Sequence, residues 1–304
     1  MVSEIGLGTW LTFGGRLDDR SASALVRKAF DLGINLFDTA DVYEQGRAEE
    51  SLGAALAGVP RKDYVLGTKC FFPSGPGPND KGLSRKHVDD SVHASLRRLR
   101  TDSIDLFQCH RYDPETPVEE TVRAIGDLIR QGKIVYWGVS MWKPDQIAEA
   151  VDVARALGAP APVSNQPSYS LMNREVESGV LQRCRELGLG TLPFSPLAQG
   201  ALTGKYLGGA RPEGARLGDS KRNLWMGRFV ASDAQARVEQ FRAVAAEAGM
   251  SCAQLALAWL LGRPTVDSVL VGATRVAQLE ENAAASGRTL DAAIVARLDS
   301  LFPA

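Results

Sequence analysis

No stretch of this 304-residue chain holds the run of about 18 apolar residues that a membrane-spanning helix needs, and its first residues lack the basic, apolar and small-residue order of a secretory signal. Membrane insertion is therefore not expected, and the expected location is cytoplasmic. Cysteine is sparse. Cys70, Cys109, Cys184 and Cys252 are widely spaced with no CxxC, so they read as reduced cytosolic thiols and not as a disulfide frame or a zinc site. Histidine is sparser still: His87, His93 and His110 do not have the spacing of a metal cluster, and no metal is expected. Charge of one sign is also lacking. Lys and Arg number 35 against 36 Asp and Glu, and a net charge of −1 gives no field to gather nucleic acid or anionic lipid. No GxGxxG follows the first strand, which weakens an open doubly wound sheet. No internal repeat, low-complexity tract or interdomain linker stands out.

What is present is an ordinary globular composition, 44% hydrophobic and 23% charged, that can bury a large core. Short apolar runs alternate with helical periods along the whole chain. Strands are predicted at Ile5–Trp10, Ile34–Phe37, Tyr64–Thr68, Ile104–Cys109, Ile134–Val139, Val163–Gln166, Gly190–Phe194 and Ser268–Val271. Helices are predicted at Ser21–Leu32 (closed by Gly33), Ala48–Leu56, Ser84–Leu99, Pro117–Ile129, Pro144–Leu157, Glu175–Leu187, Asp233–Glu247, Cys252–Leu261, Val276–Ala285 and Asp291–Leu301. Eight alternations imply a parallel sheet, and eight strands imply closure into a (β/α)₈ barrel, which takes roughly 250 residues and more with insertions. The expected architecture is a single α/β TIM-barrel domain over residues 1–304, with extra C-terminal helices. Two long irregular segments, Phe71–Gly82 and Ser195–Val230, follow strand ends and are expected to shape the C-terminal face.

The stretch Phe37-Asp38-Thr39-Ala40-Asp41-Val42-Tyr43 puts a carboxylate where an apolar run stops and a phenol five residues later. Taken alone, it reads first as Asp38 capping the next helix and Tyr43 plugging the barrel mouth. Three more polar side chains fall at strand ends on the same face: Lys69, His110 and Ser140. A lone Lys is usually solvated and a lone His is more often a satisfied core residue. Jointly, Asp38, Tyr43, Lys69 and His110 support one chemistry. A phenol of pKa about 10 is a weak acid at neutral pH. A nearby ammonium lowers that pKa, a carboxylate holds the ammonium charged and in place, and an imidazole orients a carbonyl oxygen. Such a set protonates a developing oxyanion, as in carbonyl reduction. No side chain donates hydride, so a nicotinamide or flavin is required.

At this point the chain resembles the aldo-keto reductases, and within them the branch containing the β subunits of voltage-gated potassium channels. The resemblance runs from Ile5 to Asn282. It is carried by Ile5–Gly15 (IGLGTWLTFGG), Ile34–Ala40 (INLFDTA), Gly82–His87 (GLSRKH), Thr116–Ala124 (TPVEETVRA), Ser195–Ala198 (SPLA) and Val269–Ala273 (VLVGA). The resemblance implies Tyr43 as general acid, supported by Asp38, Lys69 and His110, and NADPH/NADP+ as cofactor. By the same resemblance, Ser140 and Gln166 hold the nicotinamide carboxamide and Phe194 stacks on the ring, where relatives often carry Tyr or Trp. Ser195, Pro196, Leu197, Lys205 and Arg216 line the diphosphate. Gly272, Thr274, Gln278, Glu281 and Asn282 form the adenosine site, Arg275 meets a 2′-phosphate, and Thr9, Trp10 and Asp38 complete the cofactor set. For Thr274 and Arg275 the plain alternatives are a helix cap and a solvated charge; for Phe194, core packing.

Two departures matter. Channel β subunits carry Asn at the fourth catalytic position, within Asn-Arg-Pro-Asp-Pro, where this chain has His110-Arg111-Tyr112-Asp113-Pro114. That restores the reductase tetrad and favours an enzyme reducing a small carbonyl substrate over a redox-sensing regulatory subunit of a membrane partner. Relatives also carry about a dozen more N-terminal residues, a hairpin that closes the barrel bottom. Here the sequence begins inside it, at Val2-Ser3-Glu4, so either the chain starts earlier or the bottom is expected to be covered another way. A homo-oligomer, as a tetramer, is a further expectation of the resemblance. Trp10, Phe72 and Trp142 are the candidate substrate-pocket residues, with Phe71, Tyr112 and Trp225 as further aromatics; for all six the plain alternatives are rim packing and subunit contacts.

Overall fold

The computed structural model of the protein describes residues 1–213, 215–218, 223 and 226–304. Eight strands form one parallel sheet: β1 (Ile5–Gly8), β2 (Leu36–Asp38), β3 (Val65–Cys70), β4 (Ile104–Cys109), β5 (Ile134–Ser140), β6 (Ser164–Gln166), β7 (Gly190–Thr191) and β8 (Val269–Val271). They lie side by side in the order β7-β6-β5-β4-β3-β2-β1-β8. The edge strands β7 and β8 meet through parallel bridges at Thr191–Val266 and Phe194–Leu270, and the Leu270 amide donates to the Pro193 carbonyl at 2.9 Å. The sheet thus curls round in the manner of an α/β barrel of the TIM type.

Helices alternate with the strands: α1 (Asp19–Asp31), α2 (Arg47–Ala55), α3 (Arg85–Leu99), α4 (Val118–Arg130), α5 (Pro144–Ala156), α6 (Val180–Leu187), α7 (Gly227–Val230), α8 (Ser232–Glu247), α9 (Cys252–Leu261), α10 (Val276–Ala283) and α11 (Ala292–Leu301). Side-chain caps fix several starts. Asp18 accepts from the Ser21 amide, Ser84 from the His87 amide, and Ser251 with Gln254 forms a reciprocal box. Among the described residues no single helix is long and apolar enough to cross a membrane, and the most apolar, α9, is buried in the core.

Alternation along each strand divides the core. Outward-facing Ile5, Leu7, Phe37, Leu66, Val269 and Val271 pack with the helices on one side of the barrel, and Phe107, Trp137 and Val139 with those on the other. Inside, Leu36, Leu106, Leu192 and Leu270 form a compact apolar layer with Val2 and Val65 against it. Gly6, on the strand between Leu36 and Leu270, makes room for it, and Gly138 is closed in by its neighbour on β6. A Cβ on Gly6 would meet Leu270 Cδ2 at 2.7 Å and Leu36 Cδ2 at 3.0 Å, and one on Gly138 would meet the Ser164 backbone oxygen at 2.7 Å. Val2 is held at the bottom by its neighbours: Ser3 N–H donates to Asn35 Oδ1 at 2.8 Å, and Glu4 Oε2 accepts from Ser286 Oγ at 2.6 Å. Val2 thus packs against the leucine layer.

Several predicted boundaries move for physical reasons. Asp38, Lys69 and Ser140 lie inside their strands, not beyond them, because each continues the ladder. The predicted Gly190–Phe194 strand shortens to two residues, since Pro193 has no N–H to give. The predicted Glu175–Leu187 helix breaks at Gly179 (φ 118°) into a 3₁₀ turn at Glu175–Glu177 and α6. The Ser195–Val230 segment contains 3₁₀ turns at Ala198–Thr203, Leu207–Gly209 and Arg216–Gly218 and ends in α7; Trp225 lies outside the described residues. Pro117 is the cap of α4 and not its first residue.

Because the Gly138 site is closed by Ser164, through its backbone oxygen as well as its hydroxyl, Gly138→Val is expected to destabilise the fold by about 1–3 kcal/mol, as overpacked cores do. Urea unfolding followed by circular dichroism measures it.

Candidate active site

The strand ends bring together what the sequence singled out. Lys69, fully withdrawn from solvent, places its Nζ 2.6 Å from Asp38 Oδ2 and donates to the Thr39 carbonyl at 2.6 Å. Asp38 Oδ1 accepts from Gln166 Nε2 at 2.9 Å and Gln108 Nε2 at 3.3 Å. Asp38, Lys69, Gln108 and Gln166 thus face one another across the barrel, each from a different strand. Ser140 Oγ donates to the Gln166 carbonyl at 2.9 Å, fixing β6 to β5 at the same level.

Tyr43 sits in the turn beyond β2. Its ring lies 5.1 Å from the Lys69 ammonium and 5.8 Å from the His110 ring, edge-on at 77°. Glu44, Gln45 and Gly46, the next three residues, all adopt left-handed backbone (φ 49°, 58° and 89°), a costly run that pins the start of α2 and with it the phenol. Gly46 is required there twice over, since a Cβ would also strike Arg98 Cδ at 2.8 Å. Leu11, Met141, Ser195, Ala198 and Gln199 are also left-handed, and all lie in loops beyond strand ends on this face.

The electrostatics revise one expectation. Burial pushes the Tyr43 phenol above its ordinary pKa; Lys69 pulls it down without overcoming that effect. The phenol therefore keeps its proton. Burial disfavours the Lys69 charge, but Asp38 and Tyr43 outweigh it and hold the amine protonated. Burial, with the nearby charges of Lys69 and Arg111, pulls His110 well below the usual imidazole value, so it is neutral. Its Nδ1 is buried with no partner.

The remaining candidates form a second group around the same mouth. Phe72 lies 4.9 Å from the His110 ring, and Phe71 stacks edge-on against Phe72 at 5.3 Å. Trp142 is drawn inward, 2% exposed, edge-on to Tyr112 at 5.0 Å, and so takes the rim-packing alternative. Trp10 lies under the Arg216 guanidinium, 5.1 Å from the ring. Thr9 Oγ1 donates to Thr39 Oγ1 at 2.8 Å. Phe194 bridges to both Ser168 and Leu270, with Ser195, Pro196 and Leu197 following it. Burial first, then the charges of Arg216, Arg16 and Arg275, depresses the Lys205 amine. Four cations thus gather on one side of the mouth. Arg275 is the cap residue of α10 and exposed; the Thr274 amide and hydroxyl both donate to Gln278 Oε1, at 2.8 and 3.1 Å. Asn282 is buried, while Gly272 and Glu281 face solvent.

Sequence reasoning missed Gln108, Thr39 and Asp41. Gln108 carried a usable signal, a polar residue inside the apolar run Ile104–Cys109. Asp41 is 2% exposed; its Oδ2 accepts from Ser91 Oγ at 2.8 Å and its Oδ1 has no partner. Burial, helped by the charge of Glu49 and opposed by Ser91 and Arg98, pushes its carboxyl up to about 7.

The chain belongs to the aldo/keto reductase family, whose sequence model matches residues 4–302. Within that family it is similar to a protein of Oryza sativa subsp. japonica named "Probable voltage-gated potassium channel subunit beta", 46% identical over 285 residues that make up 92% of this chain and 86% of that protein. It is also similar to an Arabidopsis thaliana protein of the same name, 44% identical over 285 residues with the same coverage.

Asp41 gives a pH test. In the unfolded chain it ionises near 3.8, in the folded protein near 7. Below both values each state holds the proton. Between them only the folded state does, so stability falls as pH rises from about 4 to about 7 and the penalty is constant above. Asp41→Asn is expected to gain on the wild type by up to about 4 kcal/mol at pH 8, with that gain vanishing by pH 4. Urea unfolding of both proteins at pH 4, 6 and 8 checks the trend.

Proposed function

We propose that this chain, as one barrel domain over residues 1–304, reduces aldehydes or ketones to alcohols with NADPH, and that Tyr43 is the general acid. The observation that carries the reading is the convergence of a protonated phenol, a buried ammonium–carboxylate pair and a neutral imidazole at one barrel mouth. The neutral His110 donates a hydrogen bond to the substrate oxygen and aims it at Tyr43. Tyr43 passes its proton to that oxygen as negative charge develops there. Lys69, held by Asp38 and the Thr39 carbonyl, stabilises the phenolate left behind.

The residues present fit a nicotinamide dinucleotide phosphate. The gathering of Lys205, Arg216, Arg16 and Arg275, in which burial and then the arginines depress the lysine, suits polyanionic phosphates. When bound, the dihydronicotinamide supplies the hydride. Lys205 and Arg216, with Ser195, Pro196 and Leu197, would hold the diphosphate. Gln166, whose Nε2 is given to Asp38, would receive the carboxamide through Oε1 beside Ser140. Thr9 and Trp10 would line the same cleft, and Phe194 would pack on the ring. Gly272, Thr274, Gln278, Glu281 and Asn282 would take the adenosine, and Arg275 the 2′-phosphate. The expected setting is cytoplasmic.

The names of the plant relatives favour a second reading, a cofactor-binding subunit of a channel. His110 at the mouth favours turnover. NADPH-dependent recovery of a membrane protein, without aldehyde-dependent NADPH oxidation, would select the second reading.

Tyr43→Phe is expected to lower kcat about 10²- to 10⁴-fold while NADPH still quenches protein fluorescence with nearly unchanged affinity; wild-type protein that oxidises no NADPH with a broad aldehyde panel would count against the reading. Arg275→Ala is expected to weaken NADPH by roughly 10- to 150-fold, the loss of about 1.5–3 kcal/mol from charged hydrogen bonds, and NADH by no more than about threefold. Fluorescence titration with both cofactors decides whether Arg275 reads the 2′-phosphate.

A further inference from the structure

Arg111 follows His110 at the end of β4 and has been given no role so far. Its guanidinium lies 5.2 Å over the Phe72 ring, the ring that itself packs on His110 at 4.9 Å. Its charge reaches both the His110 imidazole and the Tyr43 phenol. The cation therefore stands on the substrate side of the mouth, beside the two residues that meet the carbonyl oxygen.

It also stands without a counter-ion. Arg61, Arg98, Arg174 and Arg263, arginines withdrawn from water to a similar degree, each hold a carboxylate: Asp105 at 2.5 Å, Glu49 at 2.6 Å, Glu177 at 2.8 Å and Asp299 at 2.6 Å. Among the described residues Arg111 pairs with none; NH1 donates only to the His110 carbonyl, at 2.5 Å. The acid nearest in sequence, Asp113, is already engaged by the Leu83 amide, the Glu115 amide and Thr116 Oγ1. A guanidinium has five N–H donors in a planar fork that matches a carboxylate or a phosphate. Burial pulls the Arg111 pKa down, as desolvation without a carboxylate partner should.

We propose that Arg111 is a specificity-determining residue of this mouth and that the carbonyl compounds it selects carry an anionic group, a carboxylate or a phosphate ester, at the end away from the carbonyl. The Phe71 and Phe72 rings beside His110 suit a flat or aromatic body between the two ends. This rests on the carbonyl-reductase reading and names the substrate class it serves.

The test compares 4-formylbenzoate with its uncharged methyl ester, in turnover with NADPH and in calorimetric binding to the NADP+ complex. Wild-type protein is expected to prefer the anion in kcat/KM by about tenfold or more, the scale of a charged hydrogen bond. Arg111→Gln should collapse that preference to within about threefold, chiefly through KM, and Arg111→Lys should keep part of it. 4-Formylphenyl phosphate, run beside the benzoate, shows which anion is favoured, and a preference for either over the ester supports the proposal. No preference in the wild type, or a preference that survives in Arg111→Gln while both substrates slow alike, would overturn it and leave the reductase reading standing. If neither aldehyde is turned over, the reductase reading fails, and calorimetry then decides Arg111 alone. Tighter binding of the anion that Arg111→Gln abolishes supports the proposal, and equal binding of anion and ester overturns it. Should Arg111→Gln fail to fold, the wild-type preference and the Arg111→Lys variant carry the same comparison.

Discussion

The contact between Lys69 and Asp38 is the constraint around which the rest of this barrel is arranged. Two charges taken out of water are costly unless each is matched and its remaining hydrogen-bonding capacity is met. Here it is met from several strands: Gln108 and Gln166 donate to Asp38 Oδ1, and the Thr39 carbonyl accepts from Lys69. Each of these groups must arrive at the same height in the barrel, which fixes the stagger of β2, β3, β4 and β6. The pair also bears on its neighbours. Burial comes first in keeping the Tyr43 phenol protonated and the His110 imidazole neutral, and the Lys69 ammonium opposes the first effect and adds to the second.

Much of this was legible in the sequence. Ile104–Cys109 and Cys252–Leu261 coincide with the observed strand and helix, because each is a clean apolar run with sharp polar ends. Asp38, Lys69 and His110 were legible because a charge or an imidazole at the end of an apolar run is unusual. Gln108 was hidden by being neutral and mid-strand, and Thr39 because it acts through its carbonyl, which every residue has. Trp142 shows the limit for aromatics: nothing in the residue type distinguishes a ring that faces a pocket from one that closes against Tyr112. Pro193 should have cut the β7 run short, and it did. The helix break at Gly179 was likewise written in the sequence, since glycine in a helical run is the residue that admits a φ of 118°.

The mouth is shaped by backbone as much as by side chains. Of the left-handed non-glycine residues described, only Arg100, at the end of α3, lies away from the loops of this face. Such conformations persist where surrounding packing over-determines them. Around Tyr43 that packing includes Glu49, which is fully buried between Thr68 Oγ1 and Arg98 Nε at 2.6 Å each and so locks α2 against β3 and α3. The position of the phenol is thus held from the helical layer as well as from within the barrel.

The layer of Leu36, Leu106, Leu192 and Leu270 has a consequence for proton traffic. It lies directly below the polar ring of Asp38, Lys69, Gln108 and Gln166, and Gly6 lets Leu36 and Leu270 close up until a single added methyl group would collide. A plug this tight offers no chain of water molecules from the far end of the barrel. On the proposed role of Tyr43, the proton it gives up would be replaced through the same opening by which a ligand enters and departs. The resetting of the proposed acid would thereby be coupled to the clearing of that opening, and the seal makes the site a one-ended vessel.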